Sequence, residues 1–209
     1  GVLQGDAAVA NATGTTLAPG DSVDGKDGID TLSLAVAGDG DQDNDGAYTL
    51  NAITTNNVEK FFLSNFDTEA TVADGHVIPA SLMTGLTTVG LSASGAGGDT
   101  LFNGLKNNVD AEMRNGSGDL KLVYDGSYVV TGTADAQKLT VSALTGGTFD
   151  ADGIETLTVH SELSKSTIAA TVSDTLETLN ITGDQDLTIS TALVFASATD
   201  FDPANPATF

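Results

Sequence analysis

The sequence predicts an all-β fold, a β-solenoid built like a parallel β-helix, and three observations carry that expectation. A seven-residue pattern recurs along the chain. Short segments rich in Thr, Val, Ile and Leu are punctuated by Gly, Asn and Asp, as strands and turns require. Aromatic residues make up only 5% of the chain, which suits thin stacked coils.

The repeat runs apolar, Glu or Thr, polar, apolar, polar, apolar, polar. It reads Val58-Glu59-Lys60-Phe61-Phe62-Leu63-Ser64, then Ile154-Glu155-Thr156-Leu157-Thr158-Val159-His160, then Leu176-Glu177-Thr178-Leu179-Asn180-Ile181-Thr182. Leu86-Thr87-Thr88-Val89-Gly90-Leu91-Ser92 is a copy without the acid. The last four residues alternate with period two, the signature of a strand with one buried face. The Glu stands just before that strand.

The copies at Ile154 and Leu176 start 22 residues apart, the length of one solenoid coil. Ser166 to Val172 and Leu187 to Ser190 read as further short β segments. Stacked coils would pair rung on rung at about 4.8 Å. Spacing elsewhere is irregular, so a β-sandwich is the alternative. One segment departs from the pattern: Leu101, Phe102, Leu105, Val109 and Met113 are spaced as on a helix, with Asn107, Asn108, Asp110 and Glu112 on the other face. It predicts one short helical insertion, read as a cap or loop-spanning element, and Pro79 to Met83 reads as a single helical turn. Residues 1–209 are expected to form a single β-rich segment of a larger protein, with a candidate subdivision near 114–120. Gly1 is not an initiator Met, no signal-peptide pattern opens the chain, and Asp202 to Pro206 looks unstructured. An internal fragment is the expectation.

Charge narrows the function. Seven Lys and Arg stand against 29 Asp and Glu, a formal net charge of −22, yet 40% of residues are apolar. That is too much hydrophobic material for a solvated acidic tail. Two carboxylates at about 4 Å repel by roughly 4 kcal/mol at an effective dielectric of 20, so clustered acids call for a cation. The balance argues against nucleic acid, which needs clustered Lys and Arg, and against direct docking on anionic lipid. The absence of Cys excludes disulfides and thiolate metal sites. No stretch approaches the roughly 20 apolar residues of a membrane helix.

Several acidic motifs have the spacing of calcium ligands. Asp41-Gln42-Asp43-Asn44-Asp45-Gly46 opens like an EF-hand loop, in which alternate carboxylates converge on one ion. The position of the closing Glu holds Ala52, so another ligand is required, and Asp39 is a candidate. Gly25-Lys26-Asp27-Gly28-Ile29-Asp30-Thr31-Leu32-Ser33 fits the calcium nonapeptide except that Lys26 replaces the second Gly, and Asp21 and Asp24 add carboxylates upstream. Ser94-Gly95-Ala96-Gly97-Gly98-Asp99-Thr100-Leu101-Phe102 is its relative, with Ser94 for the first Gly. Weaker candidates are Asp150 and Asp152 with Glu155, and Asp184 with Asp186. All are hard oxygen donors, which selects Ca²⁺ over zinc or copper. An acidic surface turn is the plain alternative at each.

Catalytic constellations are thin. His76 and His160 are the only histidines, and neither belongs to a triad or metalloprotease motif. His160 fills the terminal polar slot of a repeat copy and is expected at the surface. A polysaccharide lyase or epimerase would need a basic cluster that one Arg and two His hardly supply.

Ser22-Val23-Asp24-Gly25-Lys26-Asp27-Gly28-Ile29-Asp30-Thr31-Leu32 resembles the calcium-binding linker-to-strand motif of RTX-type S-layer proteins of Gram-negative bacteria. Gly153 to Val159 and Leu176 to Asp184 resemble their recurring rungs. The resemblance is strongest over 20–66 and 150–190. It implies secretion by a type I pathway, many bound calcium ions and assembly into a two-dimensional lattice on the cell exterior, with neighbouring copies as partners. Lipopolysaccharide or another surface glycan would be contacted through other parts of the full-length protein. The nonapeptides are imperfect and no tandem array is present, which implies a lattice-forming module rather than the RTX block itself. The same rungs occur in RTX adhesins and biofilm matrix proteins. The expectation is therefore a calcium-dependent structural module, not an enzyme, with a glycan- or cell-binding adhesin module as the alternative.

Overall fold

A computed structural model of the protein describes residues 2–6, 20–37, 50, 52–66, 76–126, 134–173, 175–191 and 194–195. Among these the chain is all-β, with no helix. The strands are β1 (Val2–Asp6), β2 (Ser22–Asp24), β3 (Thr31–Ala37), β4 (Thr54–Asn56), β5 (Lys60–Phe66) and β6 (His76–Pro79). There follow β7 (Thr88–Leu91), β8 (Thr100–Leu105), β9 (Asp110–Arg114), β10 (Leu120–Tyr124), β11 (Ala136–Ser142) and β12 (Thr148–Ala151). The last are β13 (Thr156–Ser161), β14 (Ser166–Ile168), β15 (Ala170–Ser173), β16 (Thr178–Gly183), β17 (Leu187–Ile189) and β18 (Val194–Phe195).

Two sheets dominate. One has the order β1-β3-β5-β7-β9-β11-β13-β16, the other β18-β15-β12-β10-β8-β6, and the pairs β14-β17 and β2-β4 stand beside them. In both large sheets the chain advances in one direction, and the strand pairs are parallel. Parallel neighbours need crossover connections rather than hairpins, and from β5 onward successive strands of the eight-stranded sheet are separated by a strand of the six-stranded one. This topology is compatible with a β-solenoid.

The repeat explains the eight-stranded sheet. Its four copies supply β5, β7, β13 and β16, and Thr156 pairs with Thr178, the 22-residue step read from the sequence. Within β5, Phe61 and Leu63 are buried while Phe62 and Ser64 are less so, the expected period of two. The first apolar residue of each copy, Val58, Leu86, Ile154 and Leu176, is buried at the corner before the strand. Inward residues of the two sheets form one core, where the rings of Phe61 and Phe102 meet edge-on at 5.5 Å and 86°.

The expected helix over Leu101 to Met113 is replaced by β8, a short turn and β9. Two strands with a bulge mimic helical spacing here. Opposite β10, Val123 pairs with Asn103 and Tyr124 with Leu105, so Gly104 is passed over. Gly104 has φ of +81°, a value that interrupts a right-handed helix and lets Leu105 turn back into the core. Val109, just before β9, and Ala111 and Met113 within it then alternate inward. Pro79 to Met83 is a tight turn closed by Met83 N–H donating to Ala80 O at 3.0 Å, not a helical turn. Residues 115–119 connect β9 to β10, each paired within its own sheet.

Phe102→Ala should lower stability by about 3–5 kcal/mol, because a fully buried ring leaves a cavity that parallel strands cannot collapse around. Urea unfolding followed by far-UV circular dichroism measures this, and a loss below about 1 kcal/mol would contradict the shared core.

Candidate functional site

Asp30, Glu59, Asp99, Asp119, Asp135 and Glu155 stand at the corners where the chain enters each sheet. Stacking brings equivalent corners of successive rungs into contact, so an acid in one turn meets the turn below.

At the entrance to the eight-stranded sheet, Glu59 Oε2 accepts a hydrogen bond from Asp30 N–H at 2.7 Å. In return, Asp30 O accepts from the N–H groups of Glu59 and Lys60 at 3.2 and 3.0 Å. Glu155 repeats this geometry: its Oε2 accepts from Asp135 N–H at 2.7 Å, and Asp135 O accepts from Glu155 and Thr156 N–H at 3.1 and 3.0 Å. In these two copies the Glu of the repeat is thus a clamp onto the preceding rung. Glu155, expected as a metal ligand, is buried in that role.

The first nonapeptide forms a turn around Asp30. A Cβ on Gly25 would fall 2.0 Å from Asn57 O and 2.9 Å from Asp30 Oδ2, so only glycine fits. Lys26, which stands where the motif has its second Gly, adopts φ of +66°, the left-handed conformation that glycine would take without strain. Asp24 offsets this locally. Its Oδ1 accepts from Lys26 N–H at 3.1 Å and Asn57 Nδ2 at 3.0 Å, and its Oδ2 pairs with Lys26 Nζ. These bonds, the Lys26 side chain first, lower the Asp24 carboxyl to about 2. Asp21 and Asp27 are exposed on the flanks, and Asp21 O accepts from Thr54 N–H at 2.9 Å.

At the entrance to the six-stranded sheet, the second nonapeptide stacks on a partner the sequence reading missed. Asp99 Oδ1 accepts from Asp119 N–H at 2.9 Å, and Asp119 Oδ1 accepts from Thr148 N–H at 2.6 Å. The turns touch backbone to backbone: a Cβ on Gly118 would lie 2.6 Å from Gly98 O and 3.0 Å from Gly95 O. Contact this close leaves no room for a side chain at position 118, and it stacks the turns that carry Asp99 and Asp119. Burial, then the Asp99 charge, pushes the Asp119 carboxyl up to about 7, and the Thr148 N–H only partly opposes this. Gly116-Ser117-Gly118-Asp119-Leu120 echoes Gly97-Gly98-Asp99-Thr100-Leu101, the signal that could have found it.

Other expected ligands fall elsewhere. Asp150 is buried against Lys121 at 2.6 Å, with Asp152 at 3.6 Å from the same ammonium, so a side-chain cation already stands beside both. Asp184 and Asp186 are exposed in the turn before β17, where Asp186 O accepts from Ser166 N–H at 2.9 Å. Asp39, Asp41, Asp43 and Asp45 lie outside the described residues. Among the described residues, no three His, Cys, Asp or Glu side chains converge as a metal-holding group. His76 is buried, its Nδ1 3.1 Å from Asn65 Nδ2. His160 is partly exposed on β13, 3.0 Å from Thr182 Oγ1. Comparison with family models, curated proteins and solved structures finds no match.

Asp119 gives a pH test. The folded chain keeps this proton up to about 7, whereas an ordinary carboxyl releases it near 3.8. Between those values the folded state binds the extra proton, so stability falls as pH rises through the window, by at most about 4 kcal/mol in metal-free buffer. Asp119→Asn keeps an oxygen for Thr148 N–H and removes the charge. The stability difference between variant and wild type should therefore grow in the variant's favour from pH 4 to pH 8, measured by urea unfolding. A difference independent of pH would refute the stacked-carboxylate account.

Proposed function

We propose that this chain is a calcium-dependent structural module of a secreted bacterial surface protein of the S-layer type, a β-solenoid without enzymatic activity. One observation carries the reading: carboxylates from adjacent rungs are stacked in glycine turns, Asp99 on Asp119, in a chain of net charge −22. Such turns repel internally unless protonated or bridged by a cation. Their donors are carboxylate and carbonyl oxygens, which suit a flexible, oxygen-rich calcium shell better than zinc or copper. Asp99 and Asp119 would hold one ion. Asp24 and Asp30, with Asn57 O, would hold another once calcium displaces the Lys26 ammonium.

Calcium bound there would link one rung to the next and stiffen the surface offered to neighbouring copies in a lattice. A site with free calcium at about 100 times its Kd contributes roughly 2.7 kcal/mol. Removing calcium with EGTA should therefore lower the melting temperature by several degrees per site, and calcium should restore it. An unchanged melt together with no heat in a calorimetric calcium titration would overturn the proposal.

One feature favours the alternative, a glycan-binding adhesin module. A groove of about 990 Å³ runs beside the β14–β17 pair, lined by hydroxyl and charged side chains such as Thr145, Ser164, Lys165, Ser166, Thr167 and Asp186. Saturable binding of surface polysaccharide to the purified chain, lost on Lys165→Glu, would select that reading.

A further inference from the structure

The six-stranded sheet contains a second constellation, independent of the glycine turns. Lys121 of β10 and Asp150 of β12 face each other directly in the parallel ladder, and each is only about 5% exposed. Lys121 Nζ lies 2.6 Å from Asp150 Oδ2, and the Asp152 carboxylate is 3.6 Å from the same nitrogen. On β8 the residue in register with Lys121 is Leu101, itself buried, so hydrocarbon stands on that side of the pair. Asp152 is more open, at 37%.

We propose that Lys121 and Asp150 condense into an intramolecular isopeptide bond, with Asp152 carrying the proton. Three conditions of amide formation meet here. The reacting groups are held in contact by strand pairing, which replaces a bimolecular encounter with an intramolecular one. They are enclosed, so the water that would reverse the reaction is scarce. A second carboxylate lies within reach to move protons between nitrogen and oxygen.

The step balances without any redox partner. A proton passes from the Lys121 ammonium to the Asp150 carboxylate, giving an amine and an acid, a neutral pair that a dry site tolerates better than two ions. The Nζ lone pair attacks Cγ of Asp150, and the N–C bond forms. Asp152 accepts a proton from that nitrogen and returns it to the Asp150 hydroxyl. The C–O bond then breaks and one water leaves. The ammonium and carboxylate have become a secondary amide and water, and their two charges have cancelled. The product staples two rungs whose linked residues are 29 positions apart.

Mass spectrometry of the purified, denatured chain tests this directly. The intact mass should lie one water below the sequence mass, and tandem fragmentation should recover a branched peptide joining Lys121 to Asp150. Location matters because Asp-Gly pairs such as Asp152-Gly153 can lose water as succinimides. Lys121→Arg preserves the ion pair and should return the chain to full mass, as should Asp150→Ala. Asp152→Asn should leave most molecules unlinked. A wild-type chain at full mass, or Lys121→Arg with the same water loss, overturns the cross-link. An Asp152→Asn chain that links completely removes Asp152 from the reaction.

Discussion

Parallel stacking sets the terms for everything else in this protein. When one rung lies on the next at about 4.8 Å, every position meets its own equivalent. For inward apolar residues that is favourable, and Val58, Leu86, Ile154 and Leu176 fill the same buried corner on different rungs. For acids the same rule is costly, because a carboxylate repeated at one position faces a carboxylate. The chain carries 29 Asp and Glu and must resolve that conflict at each corner.

It does so in three ways. Glu59 and Glu155 turn their charge onto a backbone N–H of the preceding rung, so the acid becomes part of the ladder. Asp24 and Asp150 each take a lysine, one at the surface and one inside. Asp99 and Asp119 each accept from a backbone N–H of the next turn, and burial together with the Asp99 charge raises the Asp119 carboxyl to about 7. The third solution is the least complete within the chain itself, which is why the proposed calcium is assigned there first. The lysine solutions also differ in kind. Asp24 and Lys26 are two residues apart and exposed, where an ion pair contributes little, whereas Lys121 and Asp150 come from different rungs and are enclosed.

Some of this is legible in the amino-acid sequence. The repeat predicts four strands, and in β5, β7 and β13 the side chains of the buried face, since period-two alternation is a local property; in β16, Ile181 is 58% exposed. The nonapeptide predicted the tight turn at Gly25 to Asp30, even at its defect: Lys26 occupies the glycine-like conformation its position demands. The helical spacing of Leu101 to Met113 arises instead from two short strands, the first bulged at Gly104, that place apolar residues three and four apart by coincidence.

The class of structure and the residues that make it follow from local pattern alone: strands rich in Thr, Val, Ile and Leu, glycine turns, and acids placed just ahead of strands. Which acid meets which partner was decided only by tertiary structure. Asp99 and Asp119 are 20 positions apart, and Lys121 and Asp150 are 29 apart. The physical reason is that rung length varies, with Thr31 paired to Lys60 but Ala136 to Thr156. Composition fixes no such register. It emerges when the inward side chains of all rungs are packed together, and the chemistry at each corner follows from it.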